Sequence, residues 1–106
     1  MKIQKTDNYT LISINKDSFL DFQGSINEFK SNHLILEVSE NLNIDEEKKM
    51  LFLNITTECK SNGISFVVIK SGINIDDFPE ILNIVPTLQE AEDILEMEAI
   101  ERDLGF

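Results

Sequence analysis

Apolar positions fall into short blocks separated by polar turns, and the spacing within the blocks alternates between one that suits strands and one that suits helices. Ile3 with its neighbours and Tyr9-Thr10-Leu11-Ile12-Ser13-Ile14, on either side of Thr6-Asp7-Asn8, predict a β-hairpin whose second strand is apolar on both faces. From Asp17 to Asn32 the signal weakens. Phe22, Ile26 and Phe29 follow the i, i+4, i+7 rule, with Asp17 or Ser18 as the cap. Gly24 inside that pattern costs about 1 kcal/mol relative to alanine and predicts a short or broken helix.

His33-Leu34-Ile35-Leu36-Glu37-Val38 is a nearly continuous apolar run and predicts a central strand buried on both faces. The turn Asn43-Ile44-Asp45-Glu46-Glu47-Lys48 then opens a helix capped by Asp45 or a neighbour, with Leu51, Phe52, Ile55 and Cys59 on one face. Lys60 falls in its last turn, and Gly63 lies where a glycine can adopt the left-handed closing conformation. Ile64 to Lys70, rich in β-branched and aromatic residues, is the strongest strand. Strand, helix and strand make a βαβ unit, whose crossover is right-handed in ~98% of cases.

Ser71 to Ile81 predicts a polar connection with one helical turn around Asp76-Asp77-Phe78-Pro79-Glu80, since proline is tolerated in a first turn. Leu82 to Val85 predicts a third parallel strand, stopped by Pro86. Thr87-Leu88-Gln89-Glu90 has the form of a capping box and opens a helix to about Asp103, closed near Gly105. Leu88, Ala91, Ile94, Leu95, Ala99, Ile100 and Leu104 are its residues available for burial. The fold class is therefore α/β. We expect one domain over residues 1–106, a mixed sheet of an N-terminal hairpin and three central parallel strands, crossover helices and a C-terminal helix.

Charge narrows the partners. Twenty acidic residues against nine basic ones give a net charge of -11. Such a surface repels nucleic acid and anionic membranes, and a basic protein surface is its simplest complement, although acidity also serves solubility alone. The last helix concentrates this charge, with Glu90, Glu92, Asp93, Glu96, Glu98, Glu101 and Asp103 against a single Arg102. That face is read either as a solvated surface or as a docking face. The beginning, Met1-Lys2-Ile3-Gln4-Lys5, has no signal-peptide pattern, and no apolar run approaches the ~20 residues of a membrane span, so a cytoplasmic location is expected.

Candidate chemistry is sparse. The single cysteine, Cys59, is expected to be a small buried hydrophobe. The single histidine, His33, is expected at the surface, and no histidine or cysteine spacing suits zinc. The scattered glycines form no phosphate cradle. The pairs Glu46-Glu47, Asp76-Asp77 and Glu92-Asp93 lie in exposed runs that do not suggest general acid-base work, and Asp76, Asp77 and Glu80 lack the regular spacing of a calcium loop. No catalytic residue, metal or cofactor is expected. The Asp45 turn stands out by location, because functional groups in open parallel sheets collect at the carboxyl ends of the strands.

On these residues, Leu34 to about Leu95 resembles the STAS domain family, shared by bacterial anti-sigma factor antagonists and sulphate transporters. In that family an apolar strand with an acidic residue leads to an isoleucine-aspartate-serine-serine-glycine-leucine turn that begins a helix. Here Leu34-Ile35-Leu36-Glu37-Val38 corresponds to the strand, and Ile44-Asp45-Glu46-Glu47-Lys48-Lys49 to the turn. Phe66 to Ile69 is similar to the next strand, and Val85 to Ala91 to the start of the final helix. Glu46 and Glu47 stand where the family carries its phosphorylatable serine, and Lys48 replaces glycine, so phosphoswitching does not carry over. A permanently acidic turn and a decayed switch both fit. The ending Glu98 to Phe106 also looks like that of short bacterial proteins labelled ribonuclease Z, whose true members use a histidine-rich zinc motif that is missing here.

The resemblance implies a non-enzymatic, regulatory, protein-binding module. Its expected contact residues are Asp45, Glu46, Glu47, Lys48 and Lys49, with Lys48 and Lys49 setting register on a basic partner. Two other readings stay open: a module for a small molecule or lipid, with an apolar groove beside Phe22, Phe29 or Phe78, and a small enzyme using Asp45.

Overall fold

The structure, a computed structural model, describes residues 1–105. Strands β1 (Lys2–Lys5), β2 (Thr10–Ile14), β3 (Leu34–Val38), β4 (Phe66–Ile69) and β5 (Asn83–Val85) pair in that order in one mixed sheet. The predicted hairpin is present. Its turn is set by the Thr6 hydroxyl oxygen, which accepts the backbone N–H groups of Asn8 and Tyr9. Only β1 runs antiparallel. β2 is parallel to β3, with Leu11 beside Ile35, so four strands are parallel where three were expected. The reason is that the chain crosses over between β2 and β3 just as it does between β3 and β4.

That first crossover holds helix α1 (Phe19–Ser25) followed by a 3-10 turn at Ile26–Phe29. Gly24 lies inside α1 without breaking it, and the helix tightens only after Ser25. Phe22, Ile26 and Phe29 are buried, as their spacing predicts. Ser18 occupies the cap position but makes no capping bond. Its hydroxyl oxygen accepts the N–H of Asn15, while the Asn15 side-chain oxygen accepts the N–H groups of Asp17 and Ser18. An asparagine-led turn thus directs the chain into the helix.

Helix α2 (Glu46–Ser61) buries Phe52, Ile55, Thr56 and Cys59, while Leu51 stays half-buried. Gly63 takes φ +71°, and the N–H of Ile64 returns to the carbonyl of Cys59 at 2.8 Å, as the predicted glycine closure requires. The connection after β4 carries a 3-10 turn at Ile75–Asp77, capped by the Asn74 side chain. Pro79 follows this turn instead of heading it, since asparagine supplies the cap. Leu82 is buried but precedes β5.

Helix α3 (Leu88–Asp103) begins at Thr87, whose hydroxyl oxygen accepts the N–H of Glu90 at 3.3 Å and whose O–H donates to the Glu90 carboxylate at 3.0 Å. The reciprocal bond of the expected capping box therefore runs between side chains.

The two faces of the sheet are covered unequally. α1, the 3-10 turn and α2 close one face over Ile12, Leu34, Leu36, Phe66 and Val68, with the Phe52 and Phe66 ring centroids 6.4 Å apart. On the other face α3 lies alone over Leu11, Ile35, Val67 and Ile69, burying Ala91 and Leu95. Leu88, Ala99, Ile100 and Leu104, expected in the core, are exposed. The stripe facing the sheet continues from Ala91 and Leu95 through Glu98 and Arg102, at i, i+4, i+7 and i+11, so its second half is polar. Glu98 accepts from the Asn83 amide at 3.0 Å and Arg102 donates to the Ser65 hydroxyl at 3.0 Å.

Candidate functional site at the carboxyl ends of the parallel strands

Three connections leave the sheet at one end: β2 to α1, β3 to α2, and β4 to the Ile75–Asp77 turn. Asp45 heads α2 as its cap, accepting the N–H of Lys48 at 3.0 Å. That bond, with the Lys48 ammonium beside it, holds the Asp45 carboxyl below its usual value of 3.8. Asp45 is thus ionised and committed to the helix. Glu46 and Glu47 follow it in the first turn, where the helix dipole favours negative charge. Their position on the helix leaves both exposed, with the Glu46 side chain 86% accessible.

The lysines of the same turn point into the protein's own surface. Lys48 Nζ bonds Asp45 at 3.3 Å and lies 5.0 Å from the centroid of the Phe19 ring, at the start of α1. Lys49 Nζ bonds Glu46 at 3.1 Å and lies 5.1 Å from the centroid of Phe78, beside the Ile75–Asp77 turn. Each ammonium joins two connections through the face of an aromatic ring. A third lysine, Lys70 at the end of β4, is buried to 9% exposure and donates to the carbonyl oxygens of Ser39 and Glu40 at 2.9 and 3.2 Å. Only its place after the last apolar residue of β4 hinted at this role, because the carbonyls it serves belong to a different strand's loop.

Contact between Lys49 and Phe78 brings the Ile75–Asp77 turn against the start of α2. Glu46, Glu47, Asp76 and Asp77 are all exposed here. The result is a crest of carboxylates standing on a base whose cations are turned inward. Among the described residues no group of three or more histidine, cysteine, aspartate or glutamate side chains is arranged to hold a metal ion.

Two clefts border this end. One, of about 560 Å³, lies on the α3 side of the sheet and is lined by Ser13, Asn15, Glu37, Ser39 and Glu40, with the Ser13 hydroxyl donating to Glu37 at 2.8 Å. The other, of about 440 Å³, runs past Phe78, Pro79 and Leu82. Phe22 and Phe29 are buried within the core, whereas Phe78 lines the second cleft.

At the opposite end of the sheet the structure gathers residues that sequence reasoning left apart. His33, expected at the surface, is half-buried. Its Nδ1 accepts the N–H of Ser65 at 2.9 Å, joining the entries to β3 and β4, and its Nε2 lies 3.5 Å from a guanidinium nitrogen of Arg102. Burial, then the Arg102 charge, pushes the imidazole below its usual value of 6.5. Tyr9 donates to Glu92 at 3.0 Å, and burial together with that bond raises its phenol. The Cys59 thiol is raised by burial, as befits an inert core residue.

Among the described residues no helix is long and apolar enough to cross a membrane. Compared with models of known protein families and with curated proteins, the chain matches none.

Proposed function

We propose that this chain is a non-enzymatic, cytoplasmic protein-binding module of the STAS-like type, which presents the crest around Glu46 and Glu47 to a basic surface of its partner. The observation that carries this reading is the opposite disposition of charges at one helix start: Lys48 and Lys49 are tied to neighbouring side chains and rings, while Glu46 and Glu47 project into solvent. A partner meets Glu47, which belongs to no ion pair among the described residues, and Glu46, which pairs with Lys49 yet keeps its side chain 86% accessible. Opposed charges of this kind steer encounter and fix register more than they add affinity.

The strand, acidic turn and helix follow one another in the order that the STAS resemblance implies, and Glu46 and Glu47 provide fixed negative charge where that family places its serine. Non-enzymatic action is favoured by Asp45, whose carboxyl is exposed, engaged as a cap and lowered in pKa, the reverse of the raised, desolvated carboxyl that proton transfer needs. The deciding experiment is a pull-down from native lysate at low and moderate salt, repeated with Glu46→Lys combined with Glu47→Lys. Recovery of a basic protein that is lost at higher salt and lost with the double variant supports the reading. Unchanged capture by the double variant removes the crest from the interface.

A further inference from the structure

We propose that the cleft between α3 and the amino ends of β2 and β3 binds one carboxylate of a small molecule, held between the imidazole of His33 and the guanidinium of Arg102. The cleft has a volume of about 490 Å³, with Leu95 and Ala99 as apolar lining and Tyr9 and Glu92 at its far side.

Proton placement carries the inference. Because His33 Nδ1 accepts the N–H of Ser65, it has no proton of its own, and the neutral ring must carry its hydrogen on Nε2. A guanidinium can only donate. The 3.5 Å approach of Nε2 to one Arg102 nitrogen is therefore one donor beside another at the wall of the cleft that both residues line, while the other guanidinium nitrogen donates to the Ser65 hydroxyl. An acceptor placed there satisfies the two at once, and a carboxylate does so with two oxygens. Glu98, one turn before Arg102, is engaged with Asn83, and no ion pair among the described residues includes Arg102.

The rest of the cleft selects among anions. Glu92 and Glu96 also line it, and the net charge of -11 repels a polyanion. A single carboxylate on a short apolar body meets the donors without crowding those acids.

Sodium butyrate, sodium phosphate and sodium chloride, titrated at constant ionic strength into isotope-labelled protein and followed by NMR, test this. Butyrate is expected to give saturable shifts at the His33 ring nitrogens and at the Leu95 and Ala99 amides, weakened at least about tenfold by Arg102→Gln through loss of a charge-assisted bond. Ala99→Leu, at an exposed helix position that does not challenge folding, is expected to block the cleft and abolish the same shifts. Shifts that fail to saturate, or that chloride reproduces, overturn the site. Tighter binding of phosphate than butyrate overturns the carboxylate assignment, and undiminished binding in both variants moves the ligand elsewhere.

Discussion

The ammonium of Lys49 faces the ring of Phe78 at 5.1 Å, so the cation that pairs with Glu46 also holds the next connection in place. Phe78→Leu keeps the apolar bulk and removes the ring face. We expect a loss of about 0.5–1 kcal/mol in stability, measured by urea unfolding, together with weaker partner binding as the two acidic turns separate.

Lys70 is a harder test of the same end. Substitution by methionine keeps the stem and leaves the carbonyl oxygens of Ser39 and Glu40 without their donor. Unfolding in urea is expected to show a loss of about 1–3 kcal/mol, with the β3 to α2 loop exchanging its amides faster.

His33 sets a pH dependence with a definite sign. Its folded pKa lies below the usual 6.5, so the unfolded chain takes up the proton more readily. The stability it contributes is complete above that value and is lost as pH falls through it towards the folded pKa. Comparing unfolding free energies at about pH 7.5 and about pH 5.5, the native chain is expected to lose more than His33→Gln over this window. Equal losses would show that the imidazole does not titrate differently on folding.

The core gives the largest effect. Phe52 is fully buried against Phe66, and Phe52→Ala is expected to cost about 3–5 kcal/mol, read as a lowered urea midpoint. Thr87→Ala, which deletes only the cap of α3, is expected to cost about 1 kcal/mol.

Much of this architecture was legible in the pattern of residues. Leu34 to Leu36 and Phe66 to Ile69 are apolar without interruption because helices cover both faces of the sheet there, and the run breaks at Glu37, which is exposed. Asp45, Gly63 and Thr87 mark helix ends through local chemistry that requires no knowledge of the rest of the chain. The misreadings arise where distant segments supply the partner. His33 reads as a surface residue until Ser65 and Arg102 are placed beside it, and Lys70 reads as a strand end until the Ser39 carbonyl is. On α3, apolar letters at Ile100 and Leu104 suggested burial. A single helix on a sheet buries only one stripe, and there that stripe contains Glu98 and Arg102. At the candidate site, the exposed glutamates were readable from composition, but the inward fold of Lys48 and Lys49 depended on Phe19 and Phe78, each roughly thirty positions away in the chain.

The two margins of the sheet bear on what the protein can safely touch. β1 is wholly exposed and carries lysine at both ends, Lys2 and Lys5, while β5 has only three residues and ends against Pro86. Two of the nine basic residues thus guard the open backbone of the longer margin, where another extended chain would otherwise add itself. Strand addition and runaway self-association are discouraged at both margins, which leaves the loops at the strand ends free to be acidic and exposed without inviting aggregation.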